Sequence, residues 1–267
     1  MSTLLAIYAF ALGAIVGSFL NVVIHRYPRQ ESIVFPASHC PNCRTPIRWY
    51  DNIPILSYLV LAGRCRSCAV PISPRYPLVE LANALFYLAV FQRTGATIAF
   101  VPVAASVSMI IALIFIDAEI QILPDVIDIP GIAVGFAIGA LRLGSRLPTL
   151  TLAADLRDSI IGAAAGAGVL LAIGLTYKLV RKIEGMGLGD VKMIAMLGAI
   201  SGWQALLPLM VVASSTGAVV GIMVALRSKD GMRVPIPFGV FLGFAFLTVL
   251  FFGRIFIGVM PMDLAMG

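Results

Sequence analysis

LLAIYAFALGAIVGSFLNVVI, residues Leu4 to Ile24, is an apolar run of about the 20 residues that a helix needs to cross the hydrocarbon of a bilayer. No basic residue precedes it, and His25-Arg26 follow it. A cleaved signal peptide carries its charge in the opposite order and ends at a small-residue cleavage site, so this run reads as a retained first span. Further runs of the same character fall at roughly residues 78–92, 96–116, 126–143, 159–180, 191–203, 205–226 and 236–257, the second and sixth of the eight being short. The chain therefore reads as an all-α integral membrane protein of about eight transmembrane helices. Residues 1–24 form the first helix, 25–77 a small segment outside the bilayer, and 78–267 a polytopic membrane domain.

The composition agrees. Of 267 residues, 60% are hydrophobic and 12% charged, with a mean hydropathy of +1.00. A soluble domain carries roughly 25% charged residues, so most of this chain has lipid as its solvent. A pI near 9.4 could point to nucleic acid, but the basic residues lie in short loops between apolar runs, which is a topology signal. Nucleic acid is not expected as a partner; membrane lipid is.

With eight spans and the N-terminus outside, one face receives the loops 25–77, 117–125, 178–192 and 227–235. These hold fourteen of the nineteen Lys and Arg residues, Lys229 and Arg233 among them. The richer face should be cytoplasmic. One stretch on that face breaks the pattern: residues 117–128 contain Asp117, Glu119, Asp125 and Asp128 and no basic residue. Topology does not require that.

The only cysteines, Cys40, Cys43, Cys65 and Cys68, are spaced C-x2-C-x21-C-x2-C. Two such pairs offer two thiolates each, and the intervening loop can fold them into one tetrahedral site. The segment is assigned to the cytoplasm, where disulfides are rare. The expectation is a structural zinc, Zn2+, with no open coordination position, folding a segment too small to fold on its own core. His39, next to Cys40, is read as a surface or supporting residue.

Ionisable groups at the edge of a span are costly and are functional candidates by default. Asp117 closes the third span after Leu113-Ile114-Phe115-Ile116, where a carboxylate opposes the helix dipole, so capping of its own helix does not explain it. Asp190 ends Gly185-Met186-Gly187-Leu188-Gly189-Asp190. An N-cap is its plain explanation, but glycines permit the irregular backbone that lines a cavity at membrane depth. Asp125, after Pro124, is best explained as an N-cap. Glu119 and Asp128 read as solvated or substrate-facing, and Glu80 as either a first-turn dipole partner or a pocket acid. Two carboxylates at one membrane face can share a proton, one acting as base on a water and the other as acid on a scissile carbonyl. No G-x-S-x-G elbow and no H-E-x-x-H occurs, which leaves serine and zinc protease chemistry without support.

These residues resemble a known family, the type IV prepilin leader peptidases of pilus assembly and type II secretion. Gly17-Ser18-Phe19-Leu20-Asn21-Val22-Val23-Ile24-His25-Arg26 is similar to its N-terminal signature and the two cysteine pairs to its cytoplasmic zinc motif. Phe115-Ile116-Asp117 through Leu123-Pro124-Asp125 resembles its first aspartate motif. Gly187-Leu188-Gly189-Asp190-Val191-Lys192 resembles its GxGD motif, and Pro235-Ile236-Pro237-Phe238-Gly239 the motif of its last span. A lone GxGD is a weak signal; five motifs in family order between about residues 13 and 245 are a strong one. One departure is an insertion around Ser145 to Asp155 on the non-cytoplasmic side.

The resemblance implies a multi-pass protein of the bacterial inner membrane whose active site faces the cytoplasm. It makes Asp117 and Asp190 the catalytic pair of a membrane aspartyl endopeptidase and residues 78–267 its peptidase domain. The implied partners are prepilins or pseudopilins, cut after a Gly at the end of a short basic leader. The implied second activity is N-methylation of the new terminal residue, usually Phe, from S-adenosylmethionine. The residues alone do not show methyl transfer: no strand leads into a G-x-G-x-x-G here. The acidic stretch suggests that Glu119 and Asp128 receive the leader's Lys and Arg. The reading from another class is an ion or proton transporter using Asp117 and Asp190, which inverted repeats would favour; the sequence has none in view. A membrane scaffold with a zinc knuckle is a third reading, and it leaves the acidic stretch unexplained.

Overall fold

The computed structural model describes residues 2–147, 149–182, 187–227 and 236–257. Gly185 and Met186 of the glycine run, Lys229 and Arg233 of the last basic loop, and Pro235 lie outside the described residues. Among the described residues there are no named strands. The helices are α1 (Ser2–Arg26), α2 (Leu56–Val60), α3 (Arg75–Thr94), α4 (Phe100–Ile120), α5 (Asp125–Ala140), α6 (Leu143–Arg146), α7 (Leu156–Arg181), α8 (Leu188–Ser201), α9 (Leu206–Arg227) and α10 (Phe238–Ile257).

Among the described residues, four stretches are long and apolar enough to cross a membrane: Thr3–Arg29, Phe100–Ile120, Leu156–Arg181 and Trp203–Arg227. The other four expected spans are helical too, as α3, α5, α8 and α10, but they are shorter or more polar. The 14 residues of α8 reach only about 21 Å at 1.5 Å per residue, against a hydrocarbon core of about 30 Å. Multi-pass character is thus carried by four helices of full span length.

The chain divides into two compact units, Met1–Phe100 and Val101–Gly267. In the first, α1 lies against α3. Gly13 and Gly17 let the backbones close: a Cβ on Gly17 would stand 2.7 Å from the Cα of Glu80. Two amides fasten the pair. Asn83 Nδ2 donates to the Gly13 carbonyl at 2.7 Å and Asn21 Nδ2 to the Tyr76 carbonyl at 3.0 Å. Such bonds matter most where no water competes for them.

In the second unit the short helix α8 is the core. Every residue from Met193 to Ser201 is buried. Glycines make that possible, as small residues do at membrane helix interfaces. Gly162 of α7 and Gly198 of α8 face one another so closely that a Cβ on either would meet the other's carbonyl oxygen within 2.2 Å. On the opposite side, Gly131 and Gly135 of α5 admit Met196 and Ala199 of α8. The expected insertion is no loose loop. Leu150 to Ala153 are buried, and Thr151 and Ala153 donate their backbone N–H groups to the carbonyls of Leu250 and Ile200 at 2.9 Å each. This segment therefore supplies a partner that one of the last carbonyls of α8, that of Ile200, lacks within its helix.

Candidate active site

Asp117 sits in the last turn of α4 with 4% of its surface exposed. Its Oδ2 accepts the backbone N–H of Val240, the third residue of α10, at 3.0 Å. The first four N–H groups of a helix have no partner in that helix and carry its positive end. The carboxylate that opposes the dipole of α4 is thus held by the N-terminus of α10. The residue just before Val240 explains the close approach: a Cβ on Gly239 would stand 2.8 Å from Asp117 Oδ2 and 3.0 Å from Leu123 Cδ2. The sequence offered a cue in a glycine two residues after Pro237, inside the first turn of a helix. Neither Gly239 nor Val240 was assigned a role from it.

Asp190 is the third residue of α8, and the N-cap position belongs to Gly187. The N-cap explanation for Asp190 is therefore off by three residues. Its carboxylate reaches back to the backbone N–H of Gly187, as an acid at this position does in a capping box. Gly189 is needed for packing, since a Cβ there would lie 2.9 Å from Leu123 Cβ. Leu123 thus packs on Gly189 and on Gly239, and so joins the segment of Asp190 to that of Asp117. Asp190 lies within electrostatic reach of Asp117.

The remaining acids differ from the sequence expectations. Asp125 is the first residue of α5; Pro124 holds the N-cap place and no side chain caps. The Asp125 carboxylate instead pairs with Lys192, whose Nζ lies 2.7 Å from both oxygens. Lys192 follows Asp190 by two residues, so this pair ties the start of α5 to the start of α8 on an exposed surface. Asp128 is neither solvated nor substrate-facing: it is 0% exposed and neither oxygen has a hydrogen-bond partner. It lies on the inward side of α5, three residues before Gly131. Only Glu119 of the two proposed leader contacts is exposed.

In the first unit the cysteine segment forms two matching knuckles. In one, the Cys40 N–H donates to the Thr45 carbonyl and the Arg44 N–H to the Cys40 carbonyl; in the other, Cys65 and Ala69 donate to Val70 and Cys65 in the same pattern. Arg44 and Ala69 both take the left-handed conformation, at φ 56° and 55°. A single β-bridge closes each knuckle, His39 to Pro46 and Arg64 to Pro71. The four Sγ atoms lie within 4.8 Å of one another, with Cys40–Cys68 at 3.8 Å and Cys43–Cys65 at 4.0 Å. A tetrahedral zinc with Zn–S bonds of about 2.3 Å sets sulfurs roughly 3.8 Å apart, so the donor set fits that ion. The hydrogen bond between Cys43 Sγ and Thr45 Oγ1 draws that thiol from 9.0 down to about 6, toward the thiolate a metal requires. His39 is exposed and its Nδ1 lies 3.0 Å from the Ala37 carbonyl, which leaves it outside the four-sulfur cluster.

Comparison with known proteins follows the same division. The profile described as "Bacterial Peptidase A24 N-terminal domain" matches residues 11–94, and that of the "Type IV leader peptidase family" matches residues 104–222. The chain is 45% identical over 225 residues to a "Prepilin leader peptidase/N-methyltransferase" of Myxococcus xanthus (strain DK1622), covering 84% of this chain and 64% of that protein. Proteins of the same description from Burkholderia pseudomallei (strain 1026b) and Aeromonas hydrophila are each 37% identical. The alignments cover 93% and 91% of this chain and 86% and 89% of those proteins. No solved structure matches the chain.

Proposed function

This chain belongs to the type IV leader peptidase family, and on that footing we propose that it is a membrane aspartyl endopeptidase that removes the leader from type IV prepilins and related pseudopilins. The observation that supports this reading is that Leu123 packs both on Gly189, next to Asp190, and on Gly239, which lies against Asp117, although the two aspartates are 73 positions apart in sequence. Two carboxyl groups that feel each other's charge share a proton more easily than they ionise together. The ionised one takes a proton from a water as its oxygen attacks the scissile carbonyl carbon. The protonated one gives its proton to the carbonyl oxygen, and the tetrahedral product then collapses with cleavage of the C–N bond. The Val240 N–H keeps one Asp117 oxygen in place.

α7 and α9 carry Lys178, Arg181 and Arg227 in their last turns, and if α7, α8 and α9 alternate in direction these ends fall on the side where α8 begins with Asp190 and Lys192. That end is read as cytoplasmic, in the bacterial inner membrane, with α3, α5, α8 and α10 completing about eight membrane helices. Residues 25–77 would hold one structural zinc through Cys40, Cys43, Cys65 and Cys68, which fill all four positions. The second reaction in this reading is N-methylation of the new terminus. S-adenosylmethionine, when bound, would supply an electrophilic methyl to that amine.

The test is cleavage of a purified prepilin in detergent, with and without S-adenosylmethionine. The expected result is a shortened pilin in both, methylated only in the second, and no cleavage by Asp117→Asn or Asp190→Asn. Full cleavage by either variant would sink the aspartyl mechanism.

A further inference from the structure

Between the two cysteine pairs, residues 52–63 read NIPILSYLVLAG, without a single charge. The run is too short to cross a bilayer. An apolar run of about this length is either buried in protein or laid into the membrane interface. Its two sides differ. Ile53, Ile55, Tyr58 and Leu61 line a cavity against α1 and the start of α3, and the Tyr58 hydroxyl donates to the Ile72 carbonyl at 3.3 Å. Leu56, Leu59 and Val60 of α2 are not on those walls. They follow the i, i+3, i+4 spacing of one helix face, and they are 60%, 67% and 77% exposed.

The depth of this face follows from what holds α2. Glu80 Oε2 accepts the Ile55 N–H at 2.7 Å, and the Ser18 hydroxyl also bonds the carboxylate. Glu80 lies in the second turn of α3, so it is not a first-turn dipole partner. It stands five residues inside α3, about 7.5 Å from the helix start at 1.5 Å per residue. Ser18 stands six residues before Ile24, the end of the first apolar run, which is about 9 Å along α1. A serine side chain is too short to reach far along its helix, so the carboxylate stays near that level. The start of α2 therefore lies beside turns of α1 and α3 that the bilayer covers, not beyond their ends. Those turns of α3 expose Leu78 and Leu81, which continues the apolar face.

The flanks have the opposite character. Arg48, Trp49 and Tyr50 precede the run and Arg64 follows it; all four are exposed, Trp49 at 82%. Trp and Tyr favour the headgroup level, and Arg favours anionic headgroups.

We propose that residues 52–63 fold back into the headgroup–acyl boundary of the bilayer, with Leu56, Leu59 and Val60 among the lipid chains and Arg48, Trp49 and Arg64 among the headgroups. The burial is that of an interfacial helix, about 5–10 Å deep. Residues 25–77 are then not wholly outside the membrane, and the two knuckles are tethered to its surface by the run that joins them.

The test uses the full chain in vesicles of phosphatidylethanolamine and phosphatidylglycerol whose acyl chains carry bromine either near the headgroup or deep. In a Trp49→Phe, Trp203→Phe background, Leu59→Trp leaves one indole in the run. Its emission should fall by more than half with shallow bromine, fall less with deep bromine, and barely respond to acrylamide in the water. Leu12→Trp in the same background, on the exposed side of mid-α1, should be quenched most by deep bromine. Failure there would remove α1 from the bilayer, and this anchor with it. As a second measurement, p-benzoylphenylalanine in place of Val60, photolysed with prepilin present, should attach to lipid. Acrylamide quenching without bromine quenching at position 59, or attachment from position 60 to prepilin or to a second copy of the chain instead of lipid, overturns the proposal.

Discussion

The cysteine segment and the aspartate pair solve the problem of holding reactive side chains in opposite ways. Each knuckle is built within eight residues, by two backbone hydrogen bonds, one left-handed residue and one bridge. The pattern is repeated 25 positions later. Asp117 is held by a contact across the sequence, from Val240 over 123 positions, and the start of the helix that carries Asp190 is tied to α5 by Lys192 to Asp125 over 67. Local turn chemistry needs only the right short peptide, so it can be read from spacing. Helix ends that meet at depth need a packed bundle, and glycines at its crossings.

The sharpest way to break this comparison is at the acids. Asp117→Asn and Asp190→Asn should each lower kcat for prepilin cleavage by about 10²–10⁴-fold, the span of general acid–base catalysis. Asp125→Asn should retain much of the activity, because its carboxylate is spent on an exposed ion pair. Comparable loss in all three, at normal expression, would mean that the pair is chosen wrongly.

The same contrast explains what the sequence could and could not tell. The clustering of the four cysteines was legible in their spacing, and the two candidate aspartates stand out because their motifs are contiguous. Helix positions were legible from hydropathy alone. The support of Asp117 was not, since Val240 lies on another helix and nothing local links them. Asp125 was misplaced because Pro124 takes the N-cap position with extended backbone at ψ 127°, freeing the next side chain for Lys192. Asp128 was taken as solvated because acids near a helix start usually are. Its burial follows from Gly131 and Gly135, which draw that side of α5 onto α8.

The next largest effect should come from Gly239. An added methyl 2.8 Å from Asp117 Oδ2 must push α10 or the carboxylate aside. A displacement of about 1 Å at a reacting group can cost about 10²-fold. Gly239→Ala should therefore fold and yet lose cleavage by that order, with KM changed little. Near-native kcat in this variant would show that the α10 N-terminus does not position Asp117.

In the cysteine segment the expected loss is of stability before chemistry. Metal analysis of purified protein should give about one zinc per chain, as four thiolates saturate one ion. Cys40→Ser should lower zinc content and the thermal midpoint, by on the order of several kcal/mol where metal binding is coupled to folding. The cleavage rate of the molecules that remain folded should be unchanged. A well-folded, active preparation without zinc would refute the assignment and would leave the knuckles held by their backbone bonds alone.

The smallest effect sharpens how local the knuckle region is. Asp51, between the two cysteine pairs, accepts from Arg66 in the second knuckle through Nε at 2.8 and 3.0 Å and Nη2 at 2.6 Å. Arg66 holds the Asp51 carboxyl below its ordinary 3.8. A carboxyl depressed in the folded state adds stability that is fully present above its unfolded value. That stability fades only as pH falls through the lower, folded value. Asp51→Asn should thus reduce the thermal midpoint slightly and by a constant amount between pH 5 and pH 8, a window that lies wholly above 3.8. Arg66 is about half exposed, so the difference should also shrink at high salt. A difference that disappears near pH 5, or that ignores salt, would mean that Arg66 does not hold this carboxylate.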